Sequence, residues 1–193
     1  MKYLVAYILF LPIILYSQKR DSVYFSNTFY KGIYSEVKEQ PLFIEYEVNN
    51  CNYGINRKGL EFYICDSIHT SNHKDYYKNV WDKGHMVPAA SQNCSKKMIY
   101  ETFSYLNCAL QHQDLNRNVW KYLEEYERKL SKVQNVYVKI TIEFNHKQKL
   151  KSGATIPSGF YKTIIINGGD LMMKYYFPNK PPKSKYYNDY LIN

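Results

Sequence analysis

Residues 107–130 read NCALQHQDLNRNVWKYLEEYERKL. Val119, Trp120, Leu123, Tyr126 and Leu130 recur at helical spacing and form one apolar stripe. The spacing predicts a helix over 116–133, with Asn116 as its cap and Asp114 just ahead, where a carboxylate suits the positive helix end. Glu124 and Arg128 stand four apart and are expected to pair on one face. Around this helix, 41–48 (PLFIEYEV), 59–67 (GLEFYICDS), 136–144 (VYVKITIEF), 162–167 and 171–177 read as strands. Residues 97–107 suggest a short helix running into an extended segment, 69–81 a polar loop, and 82–95 a loop with short strand pieces. Residues 18–40 show no decisive pattern. Strands, one long helix and further strands make an α+β arrangement on an antiparallel sheet rather than alternating βαβ units.

The chain has 193 residues, with 26 Lys and Arg against 17 Asp and Glu, a formal charge of +9. Its 45% hydrophobic content excludes a disordered chain, and 8 Gly with 7 Pro exclude a collagen-like one. The length suits one domain over 18–193. Excess cations and 22 Tyr favour an anionic partner such as nucleic acid, although a codon bias toward Lys, Tyr and Asn produces the same composition. Met1–Ser17 (MKYLVAYILFLPIILYS) places one Lys before an uncharged run, Tyr3 to Tyr16, too short for the roughly 20 residues of a membrane-spanning helix. It reads as a signal peptide. The expected location is therefore secreted or periplasmic, with no stable membrane association after cleavage. Cys51, Cys65, Cys94 and Cys108 allow three disulfide pairings, and the sequence does not choose among them.

A second block, residues 81–90, reads WDKGHMVPAA. His85 has the side chain best suited to accept a proton near neutral pH. Gly84 is expected to allow a tight turn before it, Pro88 to stiffen the exit, and Asp82 to orient the ring. A lone loop histidine is usually filler, and a lone Glu–Arg pair is usually solvated. Together in a basic chain, the two blocks fit phosphodiester hydrolysis, which needs a base for water and a cation for developing charge. Magnesium keeps most of its waters and takes few protein ligands, and manganese accepts the same oxygen donors. The side-chain oxygen of Asn116 suits the ion, Glu124 its waters, and Arg128 and Arg57 the non-bridging phosphate oxygens.

On these residues the chain resembles the DNA/RNA non-specific endonuclease family of the ββα-metal type. Residues 82–90 match the family's Asp-Arg-Gly-His block followed by Pro-Ala. Asn107, Asn116, Trp120, Leu123, Glu124 and Arg128 match its second block, and 155–162 (TIPSGFYK) a third. The resemblance covers roughly 45–178. It implies His85 as general base, Asn116 as the one direct protein ligand of magnesium, and Glu124 as the residue holding metal-bound water. It further implies that Arg128 and Asn107 bind or orient the phosphate and the histidine, and that Arg57 binds phosphate. DNA and RNA are the implied substrates, with 5′-phosphate products; an inhibitor protein is left open. Lys83 stands where most members have Arg, which keeps the charge but loses the bidentate fork. Two alternatives remain from the sequence: a catalytically decayed nucleic-acid-binding protein, separated by retention of DNA without cleavage, and a disulfide-linked domain meeting acidic polysaccharide or lipid without metal dependence.

Overall fold

The computed structural model describes residues 18–49, 51 and 53–192. The stretch read as a signal peptide, 1–17, lies outside the described residues. Seven antiparallel strands form the main sheet in the order β1-β2-β3-β6-β7-β8-β9. They are β1 Val23–Ser26, β2 Tyr30–Ser35, β3 Gln40–Glu47, β6 Val136–Glu143, β7 Gly159–Ile166, β8 Leu171–Pro178 and β9 Leu191–Ile192. Strands β6 and β7 pair along their full length, from Val136 opposite Ile166 to Glu143 opposite Gly159. Val136, Val138, Ile140 and Ile142 alternate inward, as a half-buried strand requires.

A separate two-stranded ribbon joins β4 Trp81–His85 to β5 Cys108–His112, with helix α1 Lys96–Thr102 in the connection. Its antiparallel register sets Asp82 opposite Gln111 and His85 opposite Cys108. The block expected to be mainly loop is thus a strand up to His85. Gly84 serves close approach rather than a turn: a Cβ there would stand 2.5 Å from Gln111 Oε1 and 2.6 Å from Gln111 Cβ. Away from β4, side-chain amides satisfy the backbone of β5. Gln40 Oε1 accepts from Leu110 N at 2.8 Å, and Asn179 Nδ2 donates to Leu110 O at 2.9 Å while its Oδ1 accepts from His112 N at 2.8 Å. These amides fasten the ribbon to β3 and to the end of β8.

The long helix starts earlier than expected. It runs as α2 Gln113–Leu115, a π turn Asn116–Trp120, and α3 Lys121–Leu130. His112 is the cap, its Nδ1 accepting from Asp114 N at 3.2 Å, so Asn116 sits inside the first turns with helical backbone angles. Asn118 departs from helical geometry, and its Nδ2 donates to Asp114 O at 2.8 Å. A wide turn of this kind absorbs one extra residue and re-aims the side chains on either side of it. The predicted stripe does face the core: Val119, Trp120 and Leu123 are fully buried against the sheet, with Tyr126 and Leu130 packed at the margin.

One expected strand is absent and two unassigned strands appear. Residues 59–67 form no strand; Tyr63 alone bridges to Ser104. The aromatic side chains that gave this stretch a strand-like pattern pack as loop anchors instead, Phe62 against Phe103 and Tyr63 stacked on Tyr100 at 4.8 Å. Residues 18–40, without a pattern in the sequence, supply β1 and β2. The disulfide is Cys51–Cys94, leaving Cys65 and Cys108 as free thiols.

Beneath α3 lies a buried ion pair, Lys162 Nζ to Glu127 Oε1 at 2.7 Å, with Tyr46 Oη donating to Glu127 Oε2 at 2.9 Å and the lysine 4.2 Å from the centre of the Trp120 ring. Removing one partner strands a buried charge. Glu127→Ala should therefore lower stability by about 3–5 kcal/mol in urea unfolding. The double variant Glu127→Leu/Lys162→Met should recover most of that loss.

Candidate active site

The ribbon, the π turn and α3 border a cleft of about 430 Å³ lined by Arg57, His85, Asn116, Arg117, Glu124 and Arg128. His85 ends β4, and its ring lies 4.7 Å from Phe62 and 4.9 Å from Phe103 between centroids. Its Nε2 is shut away with no partner, which leaves the Nδ1 edge for the cleft. Burial, with a smaller contribution from Arg57, pushes the imidazole down to about 4. The ring is therefore neutral at pH 7 and holds a free lone pair, the state a general base needs.

The loop that follows His85 is clamped. Met86 N donates to Asn107 O at 3.0 Å and Val87 N to Asn107 Oδ1 at 2.8 Å, while Asn107 Nδ2 donates to Val87 O and Thr102 O. Asn107 is fully buried and these bonds occupy its amide. It positions the histidine loop and does not reach a phosphate, which corrects half of its expected role.

Asn116 reaches the cleft from the first turns of the helix. Its Nδ2 donates to Asp82 Oδ2 at 2.9 Å, and Arg117 grips the same carboxylate through Nε at 2.8 Å and Nη2 at 2.6 Å. Asp82 thus orients Asn116, not His85 as expected. With the amino end of the amide committed, Oδ1 is the end left for a ligand. Among the described residues no group of three or more His, Cys, Asp or Glu converges. A hard divalent cation here would take one amide oxygen and keep most of its waters, which magnesium tolerates. The donor set fits such an ion.

Glu124 lies on the same helix face, half-buried, and burial pushes its carboxyl up to about 7, against the pull of Lys162. Arg128 follows one turn on, with Nη1 buried and unpartnered. The expected Glu124–Arg128 ion pair does not form within 4 Å: both side chains turn into the cleft, so the guanidinium keeps its charge for another anion. Arg57 reaches the cleft from an exposed loop, six residues beyond the Cys51 end of the disulfide. Lys83 does not line the cleft; its Nζ stands over the rings of Phe62 and Tyr105. Sequence reading missed Arg117 and Lys121, both in the lining. Their signal was present: 117, 121, 124 and 128 repeat at steps of three and four, a polar stripe beside the apolar one.

A model of DNA/RNA non-specific endonucleases matches residues 15–192. The chain belongs to that family. Mitochondrial endonuclease G of Bos taurus is 32% identical over 145 residues, covering 65% of this chain and 48% of the relative. Nuclease C1 of Cunninghamella echinulata var. echinulata is 31% identical over 120 residues, covering 54% and 46%. The chain spans about half the length of the curated relatives it matches. Among solved structures, an EndoG/EndoGI complex superposes with a TM-score of 0.77 at 26% identity, covering 88% of this chain and 80% of that one. The family fold is therefore the α+β, ββα-metal arrangement expected from the sequence, with β4, β5 and α2–α3 as its two strands and helix.

Two opposed titrations follow from the cleft. Between pH 5 and 6.5 the unfolded chain binds protons that folded His85 refuses, so this group makes stability rise with pH. Glu124 works the other way, since its folded carboxyl keeps a proton up to about 7 and its contribution is lost as pH rises. Relative to wild type, His85→Leu should show stability falling more steeply from pH 5 to 7 in metal-free urea unfolding, and Glu124→Gln should show it rising.

Proposed function

We propose that the chain is a divalent-metal-dependent endonuclease that hydrolyses phosphodiester bonds of DNA and RNA with little sequence preference. The observation that carries this reading is the convergence of a neutral His85 and an oriented Asn116 amide on one cleft that also holds the unpaired Arg128 guanidinium. His85 takes a proton from the attacking water through its cleft-facing nitrogen, and the water oxygen bonds to phosphorus as the P–O3′ bond breaks. Arg128 and Arg57 face the non-bridging oxygens, where charge grows in the transition state. Asn116 would hold magnesium or manganese through its oxygen, and Glu124 would accept hydrogen bonds from the ion's waters. The bound ion supplies a positive charge against the departing oxyanion. Asp82 positions Asn116 and Asn107 positions the histidine loop. The 5′-phosphate product follows from which bond breaks.

We also read the chain as exported. The Cys51–Cys94 disulfide supports this, because such bonds persist in oxidising compartments. Several relatives carry mitochondrial names, but Met1–Ser17 holds no Arg, whereas a mitochondrial transit segment is Arg-rich and amphipathic. Among the described residues no helix is long and apolar enough to cross a membrane. EndoG has been solved in complex with EndoGI, in which EndoG is inhibited, and this supports a protein inhibitor as a second class of partner.

Purified protein should degrade plasmid DNA and RNA with magnesium or manganese and lose that activity with chelator. His85→Ala should cut the rate by about 10²–10⁴ without lowering the melting temperature. Intact substrates with both metals present would refute the reading. Asp82→Ala, which frees the Asn116 amide to rotate, should weaken metal binding, read as a higher magnesium concentration for half-maximal cleavage.

A further inference from the structure

A groove of about 360 Å³ lies beside α3, lined by Tyr122 of the helix and by Lys185, Tyr186, Tyr187 and Asn188 of the segment that follows β8. Lys121 lines the cleft and Tyr122, its neighbour in the chain, lines the groove, so about 100° of helix rotation separates the two spaces. The segment after β8 is pinned in place. Asn179 bonds to the ribbon at Leu110 and His112, Tyr187 stacks on Tyr126 at 5.3 Å, and Tyr190 on Phe177 at 4.8 Å. Tyr187 is spent on that stacking, but Tyr122 and Tyr186 are 41% and 62% exposed. Lys185 is exposed, with its Nζ 5.2 Å from the centre of the Tyr186 ring. Among the described residues it has no carboxylate within 4 Å, and no Asp or Glu lines the groove. Carboxylates on the flanking segments are engaged, Glu125 with Lys121 at 3.8 Å and Asp189 with the Ser184 hydroxyl at 2.5 Å.

Open ring faces stack on unpaired bases whatever their identity, and a free cation beside them meets the backbone phosphate. In a duplex the bases stack on one another and offer no face. We infer that this groove is a subsite for a single strand running out of the cleft across α3, with Tyr122 and Tyr186 stacking on its unpaired bases and Lys185 meeting a phosphate. The inference rests on the nuclease reading and adds to it: single strands gain a hold that duplexes lack. Stacking tolerates every base, in keeping with little sequence preference.

The test compares wild type with Tyr122→Ala/Tyr186→Ala, Tyr122→Phe/Tyr186→Phe and Lys185→Met. These substitutions alter only exposed side chains. Binding of three fluorescent probes is measured under chelator across a salt series: a twenty-nucleotide thymidine oligomer, an abasic strand of the same length and a twenty-base-pair duplex. The alanine variant should bind the thymidine oligomer about fivefold or more weakly for each ring lost, and should bind the abasic strand and the duplex like wild type. The phenylalanine variant should keep wild-type affinity. Lys185→Met should make the salt slope for both single strands shallower by about 0.7. Under magnesium, the alanine variant should raise KM for single-stranded DNA but not for duplex plasmid. Unchanged oligomer affinity in the alanine variant, or an equal loss with the abasic strand, would overturn the subsite while leaving the nuclease intact. A wild-type dimer that the alanine variant turns into a monomer, in sedimentation without nucleic acid, would also overturn it, the groove then being a contact between copies. If wild type cuts no nucleic acid but oligomer binding still depends on the two rings, the nuclease reading falls and the groove stands.

Discussion

The Asp82 carboxylate, bonded to Asn116 and gripped by Arg117, ties the ribbon to the helix, and the cleft depends on that tie. Asp82 and His85 are three residues apart on β4, so their side chains leave opposite faces of the strand. One face holds the helix amide in place while the other presents the imidazole. A single short strand therefore sets both the proposed base and the proposed ligand amide. The charge-assisted bonds to Asp82 are shorter and stronger than neutral ones, which suits a contact that must hold one rotamer of Asn116.

Behind the helix, Lys162 and Glu127 perform a related service from within the core. A fully buried ion pair contributes little net stability compared with a well-packed apolar pair, but half of one is very costly. Register errors of α3 against β7 would strand one charge, so the pair selects the rotation that turns Glu124 and Arg128 outward to the cleft. The third block of the family pattern ends at this lysine, which places its importance in positioning rather than in contact with substrate.

Two polar atoms at the cleft stand without partners. His85 Nε2 and Arg128 Nη1 are buried and unsatisfied, and each such group has a desolvation cost of about 1–3 kcal/mol or more. Other buried orphans lie away from the cleft, the Gln111 amide and Thr155 Oγ1 among them. Orphans at the cleft are consistent with a site completed by substrate and water.

Much was legible in the letters. The apolar stripe from Val119 to Leu130 identified the helix because its period is set by backbone geometry alone. The alternation in 136–144 identified β6 in the same way. His85, Asn116, Glu124, Arg128 and Arg57 were named from residue chemistry and spacing, and all of them line one cleft. The rest depended on partners distant in sequence. Gly59–Ser67 looked like a strand because aromatic residues suit strands, yet only Tyr63 bridges to another segment, at Ser104. Asp82 seemed destined for His85 by proximity in the chain, but strand alternation sends the two apart and Arg117 claims the carboxylate. Among three possible cysteine pairings, only the folded loops brought Cys51 to Cys94. The sequence by itself thus determined the helix, β6 and which side chains are candidates for the chemistry, since local periodicity and functional groups are written residue by residue. Tertiary structure alone decided which of those groups meet, because hydrogen bonds and burial are settled between segments that the chain order keeps far apart.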